Sequence, residues 1–527
     1  DKVMKKTVRL IVKIKLKHIL IDNVLRFRVK EDMINDYQLK NYHFIPAMPD
    51  SFVMKLSNNN NKLNTENLLG IYYVDLKKEV TDEQLNKIIK KLSLLPYFEY
   101  VQKISEVPPP TVSLQTSSYD TPDFTYRQTY KNGFMGNYSG IDMEYAWSLG
   151  IAGQGIRIAD IEWGFNFDHI DLKRESFIQL IPLTRHEHDY HGTGVAGVLY
   201  AKDNGFGVTG MVHDADVLYG VTEYINGDGA RPTCIAIGLE QLRAGDVFLF
   251  EMQEYHGEPA DYNKAVWDMI KVATDAGIII VATAGNGNWD LDSEQFAEYR
   301  SWGDNGVIMV GAGTAIGRNR CNFSNYGTMV HVQGWGDWSV VTTGGGNLYN
   351  GLPDGDNDYT NTFSGTSAAG PIVTSAVVAI QSWYKRETNN VLYPEEMRNL
   401  LIETGLAQGN EVHGHIGPLP NIRNAIEKLE KSITYFNVIN NENIYANEIN
   451  SYLNNYQVVI INFGNGNWSN TTYIPAASGF NMGKRIYINN YATLDAEVYF
   501  NFSSTPVVLE TNESISLVSD GEEWNVR

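Results

Sequence analysis

The sequence has few cysteines and lacks any long apolar run. Its two cysteines, Cys234 and Cys321, cannot form a disulfide framework and carry almost no information about the redox compartment. No stretch approaches the roughly 20 apolar residues that a membrane-spanning helix needs. The basic start of the chain, residues 1–22, alternates lysines with apolar residues, which predicts a strand rather than the apolar core of a signal peptide.

An excess of positive charge is also missing. The 42 Lys and Arg residues are outnumbered by 62 Asp and Glu residues, so the net charge is −20. This balance argues against nucleic acid or an anionic membrane as a partner. The apolar share of 43% and the charged share of 20% are those of a globular protein. The length of 527 residues predicts two or three domains.

The first part of the chain has the pattern of a small domain. Residues 81–95, "TDEQLNKIIKKLSLL", begin with a helix cap and repeat apolar residues at helical spacing, while residues 68–76 and 97–104 are typical of strands. We therefore predict a small α+β domain over residues 1–106. Three consecutive prolines follow, and residues 107–139 are predicted to be a linker with an N-terminal arm.

The rest of the chain divides into two further segments. In residues 140–432, short apolar runs such as "GIIIVATAG" alternate with helical patterns, as in an α/β fold with a mostly parallel sheet covered by helices on both faces. Residues 433–527 contain repeated β-like runs separated by turn residues. They predict a small all-β domain, either a sandwich or a barrel.

Three stretches of the α/β segment carry side chains suited to nucleophilic catalysis. "IADIEWGFNFDHIDL" (158–172) places Asp160 and Glu162 at the end of a predicted buried strand, where a charge is costly unless it is paired. "DYHGTGVAG" carries His191, and "FSGTSAAGP" carries Ser367. An acid, a histidine and a serine are the set that activates a hydroxyl nucleophile.

These blocks resemble those of the subtilisin family of serine peptidases. "HGTGVAG" resembles the histidine block, "SGTSAAGP" the serine block, and "ATAGNGN" (282–288) the block whose asparagine helps to form the oxyanion hole. The order acid, histidine, serine is also that of subtilisin-type proteases. The resemblance implies a serine endopeptidase of subtilisin-like fold with Ser367 as nucleophile, His191 as proton acceptor and Asn286 as oxyanion donor.

The triad acid departs from the family pattern. Subtilisins usually have Asp-Thr-Gly, followed by a histidine seven residues after the aspartate and an acid nine residues after it. Here Glu162 lies two residues before Gly164, seven before His169 and nine before Asp171. This register favours Glu162 as the triad acid. Asp160 shares its strand face and is the alternative, and a third interpretation is that the acid is impaired.

Two stretches of the sequence contain side chains that can bind metal ions. The resemblance implies calcium at Asp171 and Asn204, completed by backbone carbonyls in the loop; the carbonyls are those of Lys202, Phe206 and Val208. "RHEHDYHG" (185–192) contains His186, His188 and His191, but no matching ligand motif stands near it. The prediction is therefore a histidine-rich exposed loop rather than zinc.

Substrate binding is predicted only in outline. In subtilisins an extended peptide pairs with a strand edge that usually reads Ser-Leu-Gly, and by alignment this edge is Glu251, Met252 and Gln253, with Gly285 opposite. A preference for basic substrate residues and a plain solvated glutamate both remain open for Glu251. The substrates implied are proteins or peptides.

The flanking segments have roles that the resemblance implies. Residues 1–106 resemble a subtilisin propeptide, which assists folding and blocks the cleft until it is cut, here within residues 107–122; the alternative is an unrelated domain. Residues 433–527 resemble accessory domains, and no residue in them identifies a ligand. The family resemblance implies a secreted zymogen. A catalytically silent scaffold that binds or adheres through the C-terminal β domain is the competing hypothesis, and a hydrolase or peptide transferase with the same triad is a third.

Overall fold

The computed structural model of the chain describes residues 7–21, 27–49, 51–52, 68–104, 121–181, 188–225 and 228–527. These residues form two compact units, divided along the chain at 382/383, 391/392 and 422/423. The predicted propeptide-like segment belongs to the first unit, as does the predicted α/β segment except for residues 383–391 and 423–432. Residues 107–120 of the predicted linker and N-terminal arm lie outside the described residues.

The N-terminal segment folds around an antiparallel sheet. Its strands are β1 (Val8–Ile14), β2 (Ile19–Ile21), β3 (Phe27–Val29), β4 (His43–Pro46), β5 (Ile71–Asp75) and β6 (Phe98–Lys103), and its helices are α1 (Glu31–Ile34) and α2 (Asp82–Ser93). The main sheet has the order β4-β5-β1-β6. Helix α2 starts at the predicted place because Thr81 and Gln84 form a capping box. Leu85 and Leu92 bury its apolar face.

A seven-stranded parallel sheet forms the centre of the first unit, as the sequence predicted. Its order is β15-β14-β13-β12-β7-β9-β8. The strands of this segment are β7 (Arg157–Glu162), β8 (Phe177–Gln179), β9 (Val217–Thr222), β10 (Tyr224–Ile225), β11 (Asp228–Gly229), β12 (Val247–Phe250), β13 (Ile279–Thr283), β14 (Ile308–Gly313), β15 (Val332–Trp335), β16 (Val340–Thr343), β17 (Tyr349–Asn350) and β18 (Asp358–Phe363). Every residue of β12, β13 and β14 is buried, as expected for strands covered on both faces.

Helices connect these strands. They are α3 (Met143–Ser148), α4 (Tyr190–Tyr200), α5 (Arg231–Leu239), α6 (Lys264–Asp275), α7 (Ala297–Ser301), α8 (Thr366–Thr388) and α9 (Pro394–Thr404). The next helix, α10 (Ile422–Ser432), belongs to the second unit from Arg423 onward. The carboxyl ends of parallel strands share one edge of the sheet, so β7, β12 and β13 end side by side. Among the described helices, none is long and apolar enough to cross a membrane.

The second unit is mostly β-structure. Its strands are β19 (Ile433–Tyr435), β20 (Val458–Phe463), β21 (Thr471–Tyr473), β22 (Arg485–Asn490), β23 (Ala496–Tyr499), β24 (Val507–Leu509), β25 (Glu513–Ser519) and β26 (Trp524–Val526). They form a five-stranded sheet, β19-β20-β22-β25-β26, and a three-stranded sheet, β21-β23-β24. The unit also contains helix α11 (Ala446–Leu453), which the sequence analysis did not predict and which is only eight residues long.

Candidate active site

Strand β7 carries two acidic side chains to the edge of the sheet. It pairs in parallel with β12, in a register that sets Asp160 opposite Leu249 and Ile161 opposite Phe250. Side chains alternate along a strand, so Asp160 and Glu162 point to the same face. Asp160 is fully buried, and Glu162 is 2% exposed. The sheet therefore holds two adjacent carboxyl groups away from water.

Small residues in α4 bring His191 against this face. His191 is the second residue of the helix, and a Cβ on the following Gly192 would overlap the carbonyl oxygen of Gly164. On the other side, the Thr342 hydroxyl donates to the carbonyl of Gly194 at 2.6 Å. The glycines of "HGTGVAG" thus permit a close approach of helix and sheet that larger residues would prevent.

The imidazole of His191 contacts Glu162. Its Nδ1 lies 2.6 Å from Glu162 Oε2, and both side chains are buried. An ionised carboxylate only accepts hydrogen bonds, so it holds the ring in the tautomer that carries hydrogen on Nδ1 and leaves Nε2 free to accept a proton. Burial lowers the pKa of His191, which keeps the imidazole neutral. The geometry brings the predicted acid and base together.

Asp160 lies behind Glu162. The contact of His191 goes to Glu162, whereas Asp160 adjoins the Glu162 carboxyl group. Burial raises the pKa of Asp160 well above its ordinary value, and the charge of Glu162 adds to the shift. Burial also raises the pKa of Glu162, and a hydrogen bond from Asp160 opposes that shift. A proton on Asp160 therefore stabilises a charged Glu162.

Ser367 lies in the first turn of α8. It follows Gly365, whose φ of 81° is a left-handed conformation that favours glycine, and it is 9% exposed. Within the described ranges, its hydroxyl makes no hydrogen bond to His191. The hydroxyl instead lies beside Glu251, where it favours the charged form and lowers the pKa of that carboxyl group. The structure thus places Ser367 beside the site of His191 and Glu162, but its hydroxyl contacts Glu251 rather than His191.

Glu251 is a buried side chain. It directly follows β12, so the register that pairs Phe250 with Ile161 sets it opposite Glu162. It is 7% exposed, and a Cβ on Gly370 would overlap its Oε1 atom. Burial raises the pKa of Glu251 well above its ordinary value, and the charge of Glu162 adds to this. The hypothesis of a solvated glutamate is wrong, because the side chain points into the site.

The other predicted substrate-edge residues lie around Glu251. Met252 is buried, and Gln253 is held by a hydrogen bond from the backbone N–H of Asn286 to its Oε1 atom at 2.9 Å. Gly285 has a φ of 94°, and its carbonyl accepts from the N–H of Asn325 at 3.0 Å. Pairing of a peptide with this edge remains a prediction.

The side chain of Asn286 is oriented by Thr366. Its Oδ1 accepts hydrogen bonds from the backbone N–H and the hydroxyl of Thr366, both at 2.9 Å. The amide lies beside Gly365 and is exposed. Because the oxygen is occupied by two donors, the NH₂ group is the part left to donate to a ligand. Thr366 was not singled out in the sequence, although it immediately precedes the predicted nucleophile.

The proposed calcium ligands are engaged with each other. Asp171 accepts from the amide nitrogen of Asn204 and the N–H of Val208, each at 2.9 Å, and from the hydroxyl of Tyr359 at 3.2 Å. Calcium needs six to eight oxygen ligands, and here donors converge on the carboxylate. Burial raises the pKa of Asp171 to about 7. The described arrangement does not fit calcium, and calcium stays a prediction from the resemblance alone.

The described histidines of the stretch 185–192 have different surroundings in the structure. His186 lies outside the described residues. His188 packs edge-on against Trp163, with 5.4 Å between ring centroids. His191 points into the site and away from such a cluster. A zinc site made from these three histidines remains without support.

Known proteins match the central part of this chain. A family model described as the subtilase family matches residues 153–417, which is half of the chain. The minor extracellular protease Epr of Bacillus subtilis is 27% identical over 342 residues, covering 64% of this chain and 48% of that protein. The chain thus spans about half the length of that relative.

Two further known proteins are similar to this chain. A thermostable alkaline protease of Halalkalibacterium halodurans is 29% identical over 311 residues, covering 58% of this chain and 73% of the relative. The structure of an Aeromonas sobria serine protease in complex with its chaperone is 17% identical, with a TM-score of 0.46, and covers 59% of this chain and 68% of that one. From the family match over residues 153–417, the chain belongs to the subtilase family.

Proposed function

We propose that this protein is a serine endopeptidase that hydrolyses peptide bonds through an acyl-enzyme. The observation that carries the proposal is the 2.6 Å contact between Glu162 and His191 at the sheet edge where Ser367 begins a helix. Family membership supports the reaction class. Glu162 takes the place of the usual aspartate, with Asp160 behind it.

Each side chain has a defined part in this reaction. A rotation of the Ser367 side chain brings its hydroxyl from Glu251 to His191 Nε2, which accepts the proton as Ser367 Oγ attacks the substrate carbonyl carbon. Glu162 stabilises the resulting imidazolium. The NH₂ group of Asn286 and the backbone N–H of Ser367 donate to the oxyanion. His191 then returns the proton to the departing amine, and water completes the second half-reaction.

We propose further that residues 1–106 act as a propeptide and intramolecular inhibitor. This segment packs on the helices of the α/β segment: Lys13 bonds to Asp268 on α6 at 3.0 Å, and the Tyr73 and Thr233 hydroxyls are 3.0 Å apart. Cleavage would fall within residues 107–122 and release the mature enzyme. The extracellular relative supports secretion, and the ligand of the C-terminal domain is not identified.

A fluorophosphonate probe tests the assignment. The chain cleaved after its N-terminal segment is labelled, and the wild type is compared with Ser367→Ala, Glu162→Ala and Asp160→Ala. We expect label on Ser367 alone, no labelling of Ser367→Ala, and labelling of Glu162→Ala slowed by about 10⁴, the cost of removing the acid from a subtilisin-type triad. Asp160→Ala should be slowed much less.

Two outcomes would contradict the proposal. Absence of labelling in the cleaved wild-type chain would favour the silent scaffold that binds through its C-terminal unit. A larger loss in Asp160→Ala than in Glu162→Ala would show that the triad acid is Asp160. Glu298→Gln on the exposed face of α7 is the matched control for removal of an acid, and it should label at the wild-type rate.

A further inference from the structure

Three potential metal ligands meet at the active site from separate elements. Glu162 ends β7, His191 begins α4, and Glu251 follows β12. One ligand atom from each lies within 4.8 Å of the others, and all three side chains are buried. One imidazole and two carboxylates form a donor set that binds zinc and related transition metals.

The two carboxyl groups lack a cationic partner. In the described part of the chain, neither Glu162 nor Glu251 forms a salt bridge with lysine or arginine. Arg231 is engaged by Glu223 at 3.0 Å and Glu254 at 2.8 Å. A buried negative charge is costly unless it is paired, so this cluster favours either protons or a metal cation.

Several of the oxygens have few hydrogen-bond partners. Both carboxyl oxygens of Glu251 and Oε1 of Glu162 are buried, and the groups beside them are the Ser367 hydroxyl at Glu251 and the Asp160 carboxyl group at Glu162. Glu251 is 7% exposed and Glu162 is 2% exposed. Gly370, one helical turn beyond Ser367, leaves the space that the Glu251 carboxyl group fills. A cation would therefore displace only the Ser367 hydroxyl and the Asp160 proton from these oxygens.

We propose that Glu162, His191 and Glu251 form a binding site for Zn²⁺, and that zinc at this site reversibly inhibits the peptidase. The inhibitory half of this inference rests on the proposed function, whereas the binding half does not. Zinc would bind the imidazole through a nitrogen lone pair, and the ring could then no longer accept the proton of Ser367. Glu162 and Glu251 would each supply a carboxyl oxygen to the same ion.

Glu251 distinguishes this chain from the usual family pattern. The resemblance places serine at this position, which would leave only Glu162 and His191 as ligands. Two ligands hold zinc weakly, and a third completes the set found in zinc sites that keep an open position. The presence of Glu251 is thus the feature on which zinc binding depends.

Direct binding is measured first, on the full chain carrying Ser367→Ala to prevent self-cleavage. Isothermal titration with ZnCl₂ gives the affinity, and the visible absorption of Co²⁺ reports the ligand geometry. We expect one site, and Glu251→Gln should weaken it at least about 100-fold, since even loss of a group that only supports a ligand costs 10–100-fold. Glu251→Ser should weaken it equally, while the matched control Glu298→Gln leaves it unchanged.

The other histidines of the stretch 185–192 need their own control. Zinc binding by the stretch 185–192 would be lost in His188→Asn and retained in Glu251→Gln. That outcome, or equal affinity in Glu251→Gln and its parent, would overturn the proposal. Circular dichroism of each variant shows whether the fold is retained, and Glu251→Ser serves as the second variant if Glu251→Gln does not fold.

Inhibition is measured on the cleaved wild-type chain. Zinc should abolish labelling by the fluorophosphonate probe, and EDTA should restore it. Zinc binding that leaves labelling unchanged would overturn the inhibitory half. Complete absence of labelling without zinc would contradict the proposed function, and the titration of the Ser367→Ala chain would still decide whether the metal site exists.

Discussion

Two buried charge clusters in the first unit are built in opposite ways. Where the N-terminal segment meets α6, buried Lys13 lies 3.0 Å from Asp268 and 3.1 Å from Glu99, and Lys264 lies 2.7 Å from Asp268. Positive and negative groups are balanced there. At the active site, Asp160, Glu162 and Glu251 crowd together with one imidazole.

We interpret the balanced cluster as charge that supports docking of the N-terminal segment, and the crowded cluster as charge that supports the proposed chemistry. A balanced buried cluster loses stability when one member is removed, because its partner is left unpaired. A crowded cluster of like charges should gain stability when one member is removed. Active sites commonly keep such unfavourable arrangements because the function requires them. Variants of the two clusters should therefore change stability in opposite directions.

The largest effect is expected at the balanced cluster. Lys13→Met, in a chain carrying Ser367→Ala, should lower the free energy of unfolding by about 3 kcal/mol, since it leaves buried Asp268 short of one partner. Urea denaturation of the full chain measures this. Lys87→Met removes the exposed pair of Lys87 with Glu83 and should change stability by at most about 1 kcal/mol.

A double substitution tests the contact between Lys13 and Asp268 more directly. In Lys13→Met with Asp268→Leu, both members of the contact are apolar, and most of the lost stability should return. A single variant that is as stable as its parent would mean that Lys264 alone satisfies Asp268. The balanced cluster would then contribute nothing to docking of the N-terminal segment.

The active-site cluster should respond with the opposite sign. Glu251→Gln keeps the size of the side chain beside Gly370 and removes one of three crowded acids. We expect the free energy of unfolding at pH 8 to rise by about 2 kcal/mol, the upper end of common stabilising substitutions, because burial and the charges of Glu162 and Asp160 disfavour a charged Glu251. Urea denaturation in the Ser367→Ala background measures this, with Glu298→Gln as control. A less stable Glu251→Gln chain would contradict the comparison.

The sequence predicted much of this architecture and part of the site. Apolar runs identified β12, β13 and β14, because strands buried on both faces need such runs. The spacing from Glu162 to His169 and Asp171 selected the acid that contacts His191. The position of Glu251 was not predictable in the same way, since its burial depends on which strand pairs with β7 and in which register. Sequence spacing carries no information on that pairing.

Hydrogen bonds between residues that are far apart in the sequence could not be predicted either. Asn204 reaches Asp171 from a loop and Tyr359 reaches it from strand β18, so a motif that resembles a calcium loop could not reveal donors around the carboxylate. The eight-residue α11 was missed because a short helix offers few turns of periodicity. Both failures concern features set by tertiary contacts.

Asp171 is a buried acid of a third kind, because the groups that donate hydrogen bonds to it are all neutral. Burial raises its pKa to about 7, above the value of 3.8 for an exposed group, so between these values the folded chain binds more protons than the unfolded chain. Stability must then fall as pH rises, by up to about 1.4 kcal/mol per pH unit, and level off above pH 7. Asp171→Asn should remove this slope. Urea denaturation of both chains from pH 5 to pH 8 measures it; parallel profiles would mean that the three donors already stabilise the charged form, as a balanced cluster does.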